Sequence, residues 1–348
     1  MAESDTAESQ TNFRLTSTRI VREILIRTFL PHHVARRIGR RRLHRRFPAG
    51  LKKNTQLDLY SQMLRGDFLH YGYFDDANVP PERISFHDMQ RAQLRYAHEI
   101  LKLIDVPGAP VLDVGCGRGG MLSLLGEAGF DAIGLTPDVL DIEHIHRVRP
   151  GVPVLHCRFE DFPPDGYEGA FGTVIHAESI QYMNPARVLP VVQRILAPGG
   201  TWIVADYFRT QTGGERSGWQ WEDFRERLDS EGFRIVHSRD ITEHVLPTLG
   251  FARLLATRLG LPLFDYTQAK VQSKSPGLYY VLENILEGAR RSVERSLEIL
   301  DPVEFSRRKR YMLISIRREG ESDRGAPRPG DGPEAVAPDR IYGPQGRL

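Results

Sequence analysis

The chain has 348 residues, of which 40% are hydrophobic and 26% charged, and its formal net charge is +2. This composition is that of a folded globular protein and argues against a disordered or fibrous chain. The sequence has no apolar run long enough for a transmembrane helix, no secretory signal, and only two cysteines, too few for a disulfide framework. We therefore expect a cytoplasmic protein. We predict no metal site, because no Cys/His cluster has zinc-ligand spacing.

The amino-terminal third divides into three predicted segments. Residues 1–18 are polar and predicted to be disordered, 19–54 form a basic amphipathic helical segment, and 55–104 form an N-terminal helical lid. Residues 19–53 hold ten Arg, two Lys and one Glu, a net charge of +11. Such a block favours an anionic partner. Three interpretations stay open: peripheral contact with an anionic membrane, nucleic-acid binding, and a solvated extension.

Strand and helix patterns alternate through residues 105–243, the predicted core domain. The strands are predicted at 111–114, 131–135, 152–156, 171–177, 201–206 and 233–237, and the helices at 119–128, 138–147, 185–196 and 219–231. This alternation predicts an α/β fold with a doubly wound, mostly parallel sheet. Residues 244–308 are predicted to be helical and 309–318 to hold the last core strand. The tail 319–348, with six Gly and five Pro, is predicted to be disordered.

The stretch VLDVGCGRGG at 111–120 predicts a ligand-binding turn at the end of the first strand. Glycines let the backbone approach a ligand closely, and the next helix adds its positive end. Gly115, Gly117 and Gly120 also satisfy the dinucleotide pattern G-x-G-x-x-G, so NAD stays open on spacing alone. Asp113 favours S-adenosylmethionine, because a carboxylate suits its ammonium and sulfonium groups and would repel a diphosphate.

The motifs together resemble those of the class I S-adenosylmethionine-dependent methyltransferases. VLDVGCGRGG looks like their first motif, and HAESIQYM with the later LAPGG turn looks like their fourth strand, helix and fifth strand. FLHYGYFDD, QRAQ, GLTP and ESIQYM look most like the small-molecule branch: sugar and polyketide O-methyltransferases, tocopherol, sterol and prenyl C-methyltransferases, and cyclopropane fatty-acid synthases. The resemblance implies a seven-stranded sheet with a reversed last strand. It also makes 244–308 a helical substrate cap inserted before that strand.

The resemblance also assigns roles to single residues. The cofactor-binding residues it implies are Asp113, Gly115, Cys116, Gly117, Thr136, Phe159, Gln93 and Tyr71. Thr136 stands where many relatives have the acid that binds the ribose hydroxyls. Arg158 stands where the usual acid of the adenine segment is found.

The end of the fourth strand should face the acceptor, so a proton-accepting group is expected there. Glu178 is the first candidate and His176 the second, since either suits a hydroxyl acceptor. A carboxylate with aromatic walls also suits an alkene carbon that becomes a carbocation. The predicted substrate residues are Gln181, Tyr182, His244 and Tyr279.

These observations predict an S-adenosylmethionine-dependent methyltransferase that acts on a small, hydrophobic lipid, isoprenoid or natural-product acceptor by O- or C-methylation. Two alternatives stay open. The arginine block prompts an RNA methyltransferase, although no Asn/Asp-Pro-Pro-Tyr stretch follows the fourth strand. Arg158 and Thr136 prompt a non-catalytic scaffold with a degenerate methyltransferase fold.

Overall fold

The fold is described from a computed structural model, which covers residues 63–64, 66–106, 108–211 and 217–319. The predicted segments 1–18 and 19–54, the start of the lid and the tail from residue 320 lie outside the described residues. None of the helices in the described ranges is long and apolar enough to cross a membrane.

One mixed sheet forms the centre of the molecule. Its strands are β1 (Val111–Val114), β2 (Ala132–Thr136), β3 (Val154–His156), β4 (Phe171–Ala177), β5 (Leu196–Arg209), β6 (Trp219–Gln220), β7 (Phe233–Asp240) and β8 (Lys309–Arg318). Seven of them follow the order β3-β2-β1-β4-β5-β8-β7, and the two-residue β6 pairs with the end of β5. Only β8 runs antiparallel to its neighbours β5 and β7. The predicted doubly wound α/β sheet with a reversed last strand is confirmed.

Helices cover both faces of this sheet. They are α1 (Phe86–Leu101), α2 (Gly120–Glu127), α3 (Val139–Val148), α4 (Pro185–Ile195), α5 (Trp221–Ser230), α6 (Thr242–Leu255), α7 (Leu261–Lys274), α8 (Pro276–Ile299) and α9 (Pro302–Arg308). Side chains of α1, α2, α6 and α9 pack with Ile175 and Ile203 on one face. Those of α4 and α5 pack with Val174 and Trp202 on the other. Because consecutive strand residues point to opposite faces, β4 and β5 supply both cores.

The strand order reverses at β1, which pairs in parallel with both β2 and β4. In open α/β sheets, the crevice at such a reversal lies outside the carboxyl ends of the strands and receives the ligand. Gly115 follows β1, and Glu178 and Ser179 follow β4. The fold therefore brings the glycine turn and the candidate proton acceptor to the same edge of the sheet.

The predicted cap 244–308 is helical, as α6, a π-helical turn (Ala256–Gly260) and α7 to α9. The π turn connects α6 directly to α7. The hairpin of α7 and α8 packs little against the rest of the described structure, since α7 buries none of its residues and α8 buries only Leu278.

Candidate active site

The turn after β1 requires glycine at specific positions. Gly115, Gly117 and Gly119 have φ values of +80°, +49° and +84°, where side chains are disfavoured. A Cβ on Gly115 would lie 2.6 Å from the Cβ of Ser179. The glycine at 115 thus lets the loop after β1 pack directly against the loop after β4.

Asp113 points its carboxyl group into the interior beside this turn. It is 2% exposed, and its Oδ2 has no hydrogen-bond partner among the described residues. Burial raises the pKa of Asp113 to about 7. A buried carboxylate with an unfilled acceptor position is stabilised by a cation and destabilised by an anion. The site therefore fits the ammonium group of S-adenosylmethionine better than the diphosphate of a dinucleotide.

Residues 67–71, which we call the strap, lie across the glycine turn. A Cβ on Gly120 would lie 2.9 Å from the Asp67 carbonyl oxygen, and one on Gly117 would lie 3.6 Å from Leu69 Cδ1. The Asp67 carboxylate is 2.8 Å from His144 Nε2 and accepts a 3.0 Å bond from Arg149. These two contacts of Asp67, with His144 in α3 and with Arg149 directly after it, fix the strap to this helix.

Gln93 and Tyr71 hold the rest of the strap. Gln93, which is buried in α1, donates through Nε2 to the carbonyl oxygens of Phe68 and His70, at 3.2 and 2.8 Å. The backbone N–H of Tyr71 donates to Glu178 Oε1 at 2.6 Å. The two predicted residues therefore connect the cover of the glycine turn to the candidate proton acceptor.

Glu178 adopts a backbone conformation that is unusual for its residue type. Its φ is +52°, and it is the only non-glycine residue with positive φ in the described ranges. Its N–H donates to the Ala205 carbonyl oxygen at 2.9 Å. Its Oε1 accepts from Tyr71 N–H and, at 2.7 Å, from the Tyr311 hydroxyl. Burial raises the pKa of Glu178 to about 7, although both donors oppose that shift.

A second buried carboxylate lies near Glu178. Asp206, at the end of β5, accepts from the backbone N–H groups of Tyr207 at 2.8 Å and Gln181 at 3.2 Å. Burial and then the charge of Glu178 raise the pKa of Asp206 well above its usual value. Sequence reasoning missed Asp206, although its position near the carboxyl end of a central strand was a usable signal.

Aromatic rings line the same end of the sheet. Tyr71 lies 5.7 Å from Tyr311 and 6.4 Å from Phe305, centroid to centroid, and Tyr207 lies 5.7 Å from Phe305. The Lys309 ammonium stands 4.2 Å above the Tyr207 ring. Apolar walls around a carboxylate suit a hydrophobic acceptor and disfavour a highly charged one.

Comparison with known proteins matches residues 86–262, just over half of the chain, to a family described as a methyltransferase domain. The chain belongs to the class I S-adenosylmethionine-dependent methyltransferases. This methyltransferase is 26% identical over 225 residues to an O-methyltransferase of Pyrenophora dematioidea, a match that covers 58% of this chain and 80% of that protein. It spans about half the length of an uncharacterised Mycobacterium bovis methyltransferase, to which it is 29% identical over 137 residues, 37% of this chain.

Solved structures show the same fold. The 4+2 cyclase SpnF superposes with a TM-score of 0.54 at 20% identity, over 78% of this chain and 97% of that one. Geranyl diphosphate C-methyltransferase from Streptomyces coelicolor, solved with S-adenosylhomocysteine, superposes with a TM-score of 0.51 at 15% identity, over 72% and 91%. Because the methyltransferase shares this fold with a cyclase, the reaction must be argued from the site.

The structure separates His176 from Glu178. His176 lies in β4, fully buried, with Nδ1 accepting from Trp202 Nε1 at 3.0 Å and its ring 4.9 Å from Phe159. It points to the core face that holds Trp202, opposite to Ile175 and Ala177. Burial lowers the pKa of His176 to about 3, so the imidazole is neutral. Its placement is that of a core histidine of the methyltransferase.

Three predicted cofactor residues use their side chains elsewhere. The Thr136 hydroxyl accepts from Asp138 N–H at 3.2 Å and so helps to start α3. The Cys116 side chain packs with Leu122 and Ile145. Phe159 is 1% exposed, with its ring in the core against His176. The side chains of Cys116 and Phe159 thus pack in the core, and a contact of these residues with the cofactor stays a prediction.

The predicted substrate residues lie in three places. Gln181, in the short helix after β4, points Nε2 toward the Glu178 carbonyl oxygen at 3.5 Å and is close to the site. Tyr182 follows it and is 77% exposed. His244 stacks on Tyr73 at 4.3 Å and contacts the Phe74 carbonyl oxygen through Nδ1 at 2.8 Å. Tyr279 accepts a 3.1 Å bond from Gln268 and joins α7 to α8.

Proposed function

We propose that this methyltransferase transfers a methyl group to a small, hydrophobic acceptor held between the aromatic rings beside β4, and that Glu178 receives the proton released. The observation that carries the proposal is the Glu178 carboxyl group. Tyr71 and Tyr311 both donate hydrogen bonds to this carboxyl group, and the Glu178 backbone has a strained, positive φ at the strand end next to the glycine turn. Strained residues at such positions persist where the surrounding structure fixes them for function.

The residues around the glycine turn would hold S-adenosylmethionine. The bound cofactor supplies a methyl carbon made electrophilic by the positive sulfur. Asp113 would pair with the ammonium group, Gly115 and Gly117 would let the backbone approach, and the strap would exclude water. Water exclusion and alignment together can lower the barrier by several kcal/mol, roughly 7–11 for ideal alignment.

Glu178 would complete the proton balance of the reaction. The Glu178 carboxylate would take the proton that the acceptor loses when it gains the methyl group, so the acceptor's electron pair would remain in the new bond. The pKa of about 7 suits this step, because general bases work best when their pKa lies near the operating pH. If the acceptor is an alkene carbon, the carboxylate and the aromatic rings also stabilise the intermediate cation.

The acceptor class rests on the walls of the site and on the relatives. Tyr71, Tyr207, Phe305 and Tyr311 pack against one another close to Glu178 and would form the apolar walls around an acceptor. One sequence relative is an O-methyltransferase. We include lipids, isoprenoids and natural products in this class. Residues 19–53 would place the enzyme on an anionic membrane that supplies such an acceptor.

A labelled-methyl assay on cell extract tests this function. The full chain should move label from S-adenosylmethionine to an extractable product. Glu178→Gln should lower that product at least about 100-fold, the lower range for loss of a general base. Cofactor binding should be unchanged, because Asp113 is intact. The matched control is Glu222→Gln on the exposed face of α5. Full turnover by Glu178→Gln would refute the assignment of Glu178.

A further inference from the structure

Three short oxygen–oxygen contacts run inward from Glu178. Glu178 Oε1 lies 2.7 Å from the Tyr311 hydroxyl, which lies 2.8 Å from the Tyr96 hydroxyl, which lies 3.0 Å from the Ala205 carbonyl oxygen. Tyr311 and Tyr96 are at most 1% exposed. The four groups come from the loop after β4, from β8, from α1 and from β5. We call this buried row of oxygens, from Glu178 through Tyr311 and Tyr96 to Ala205, the tyrosine chain.

Counting hydrogens shows that the chain can exist in two states. With Glu178 ionised, the two phenol hydrogens serve two contacts: Tyr96 donates to Tyr311, and Tyr311 donates to the carboxylate. The Ala205 carbonyl oxygen then keeps its bond from Glu178 N–H at 2.9 Å. With Glu178 protonated, three hydrogens serve three contacts, and every donor points toward Ala205. The two states differ in the rotation of two hydroxyl groups, and no oxygen needs to move.

We propose that Tyr311 and Tyr96 are positioning residues that accommodate the proton taken up by Glu178, by reversing the direction of this chain. The role of the chain in turnover rests on the proposed function, because only a reaction that releases a proton requires Glu178 to accept one. A buried polar group without partners is costly. A chain that offers Glu178 a donor when it is ionised and an acceptor when it is protonated keeps that cost low for Glu178 in both states.

Other titratable groups act on Glu178, and they are constant across the variants used below. Asp206 on β5 is a neighbouring carboxylate, and the charge of Glu178 also acts on Tyr71 of the strap and Tyr182 of the short helix. Three further groups lie at this end of the sheet: Tyr207, which interacts with Tyr71, Lys309, which lies over the Tyr207 ring, and His70 of the strap, whose ring lies 4.3 Å from the Tyr96 ring. Differences between the tyrosine variants in the titration midpoint of Glu178 therefore report the hydrogen bonds of the tyrosine chain.

Infrared titration of the full chain, saturated with S-adenosylhomocysteine, tests the proposal without any acceptor. The carboxylic-acid band lost in Glu178→Gln belongs to Glu178. Tyr311→Phe removes a charge-assisted donor from the ionised form and only a neutral acceptor from the protonated form. Because the charge-assisted bond is the stronger of the two, the midpoint of that band should rise by about one pH unit. Tyr96→Phe should raise it by less, because Tyr96 acts through Tyr311. Tyr167→Phe, at a partly buried site whose ring stacks on Phe171, is the matched control and should leave the midpoint unchanged.

The pH profile of the labelled-methyl assay gives the second readout. Tyr311→Phe should lower kcat and move the ascending limb to higher pH, while the KM for S-adenosylmethionine stays the same. Wild-type midpoints in both Tyr311→Phe and Tyr96→Phe would overturn the proposal, and if one variant does not fold, the other decides. If Glu178→Gln keeps full turnover while the midpoints shift in the tyrosine variants, the hydrogen-bonding role of the tyrosine chain is supported and the proposed function is refuted.

Discussion

Two buried carboxyl groups with raised pKa values stand at neighbouring strand ends, and they differ in their partners. Asp113 leaves one oxygen without a donor among the described residues, whereas Glu178 accepts two hydrogen bonds. The first is prepared for a cation that comes with the ligand. The second is already held by the protein and can exchange a proton. The difference in local bonding favours cofactor binding for Asp113 and proton transfer for Glu178.

Cofactor affinity should depend on the ionisation of Asp113. In the free protein, its pKa of about 7 means that the acid form dominates at pH 5.5. A bound ammonium group favours the ionised form and lowers this pKa, so binding releases a proton below pH 7. The affinity for S-adenosylhomocysteine should therefore increase between pH 5.5 and 7.5, as measured by titration calorimetry. Asp113→Asn should bind more weakly with a flat profile. An equal pH dependence in that variant would contradict this role.

Sequence reasoning found the residues whose role follows from their place in a motif and missed those that depend on long-range pairing. Asp113 and Glu178 follow from the motif and the strand end. Tyr311 is 133 positions from Glu178 in the sequence, and only the antiparallel register of β8 brings them together. The sequence around His176 does not reveal which core its ring enters, because β4 is buried on both faces and lacks the polar–apolar alternation that would distinguish them.

At the level of elements, glycine is required in the turn after β1 for two reasons, its positive φ and the close approach of the loop after β4. A comparison of two glycine substitutions can separate these two effects. Gly115 has a positive φ and a close neighbour in Ser179, whereas Gly129 has a φ of +83° and no atom within 4 Å of the position that a Cβ would take. Gly129→Ala should therefore cost only the backbone term, about 1–2 kcal/mol of unfolding free energy. Gly115→Ala should cost about 1–3 kcal/mol more, from overpacking. Equal losses in urea unfolding would contradict the close approach of the two loops.

The strap should depend on Gln93 for its position. Gln93→Met keeps the length of the side chain but removes both bonds to the carbonyl oxygens of Phe68 and His70. Losing them should destabilise the closed strap by about 1–3 kcal/mol. Hydrogen exchange at Tyr71 N–H should become faster, and the affinity for S-adenosylhomocysteine should fall. Unchanged exchange would show that other contacts hold the strap.

The alternation of apolar segments predicted most element positions to within two residues, because period-2 and helical patterns are local. β1 and β4 match their predicted bounds, and α4 ends one residue early. β5 is the main difference: it spans Leu196–Arg209, whereas 201–206 was predicted. The LAPGG turn is included because Leu196 pairs with Phe171 across an irregular register, a tertiary contact that no local pattern contains.

At the scale of the whole molecule, stability should be concentrated in the sheet. β4, β5 and β8 carry fully buried residues on both faces, while α7 and α8 together bury one residue. Segments with few buried contacts open locally, well below the free energy of global unfolding. Native-state hydrogen exchange should therefore show weak protection across 261–299 and global protection in β4 and β5. Equal protection in both regions would mean that the hairpin is stabilised by contacts outside the described residues.

The buried carboxylate of Asp113 beside the glycine turn is expected to receive the cation of S-adenosylmethionine. Titration calorimetry at pH 7.5 tests it most directly, with wild-type protein, Asp113→Asn, and NAD as the competing ligand. We expect saturable binding of S-adenosylmethionine to the wild type and no binding of NAD. Asp113→Asn should weaken the binding of S-adenosylmethionine at least about tenfold, which corresponds to the loss of one charged contact of roughly 1.4 kcal/mol. Binding of NAD without binding of S-adenosylmethionine would contradict it.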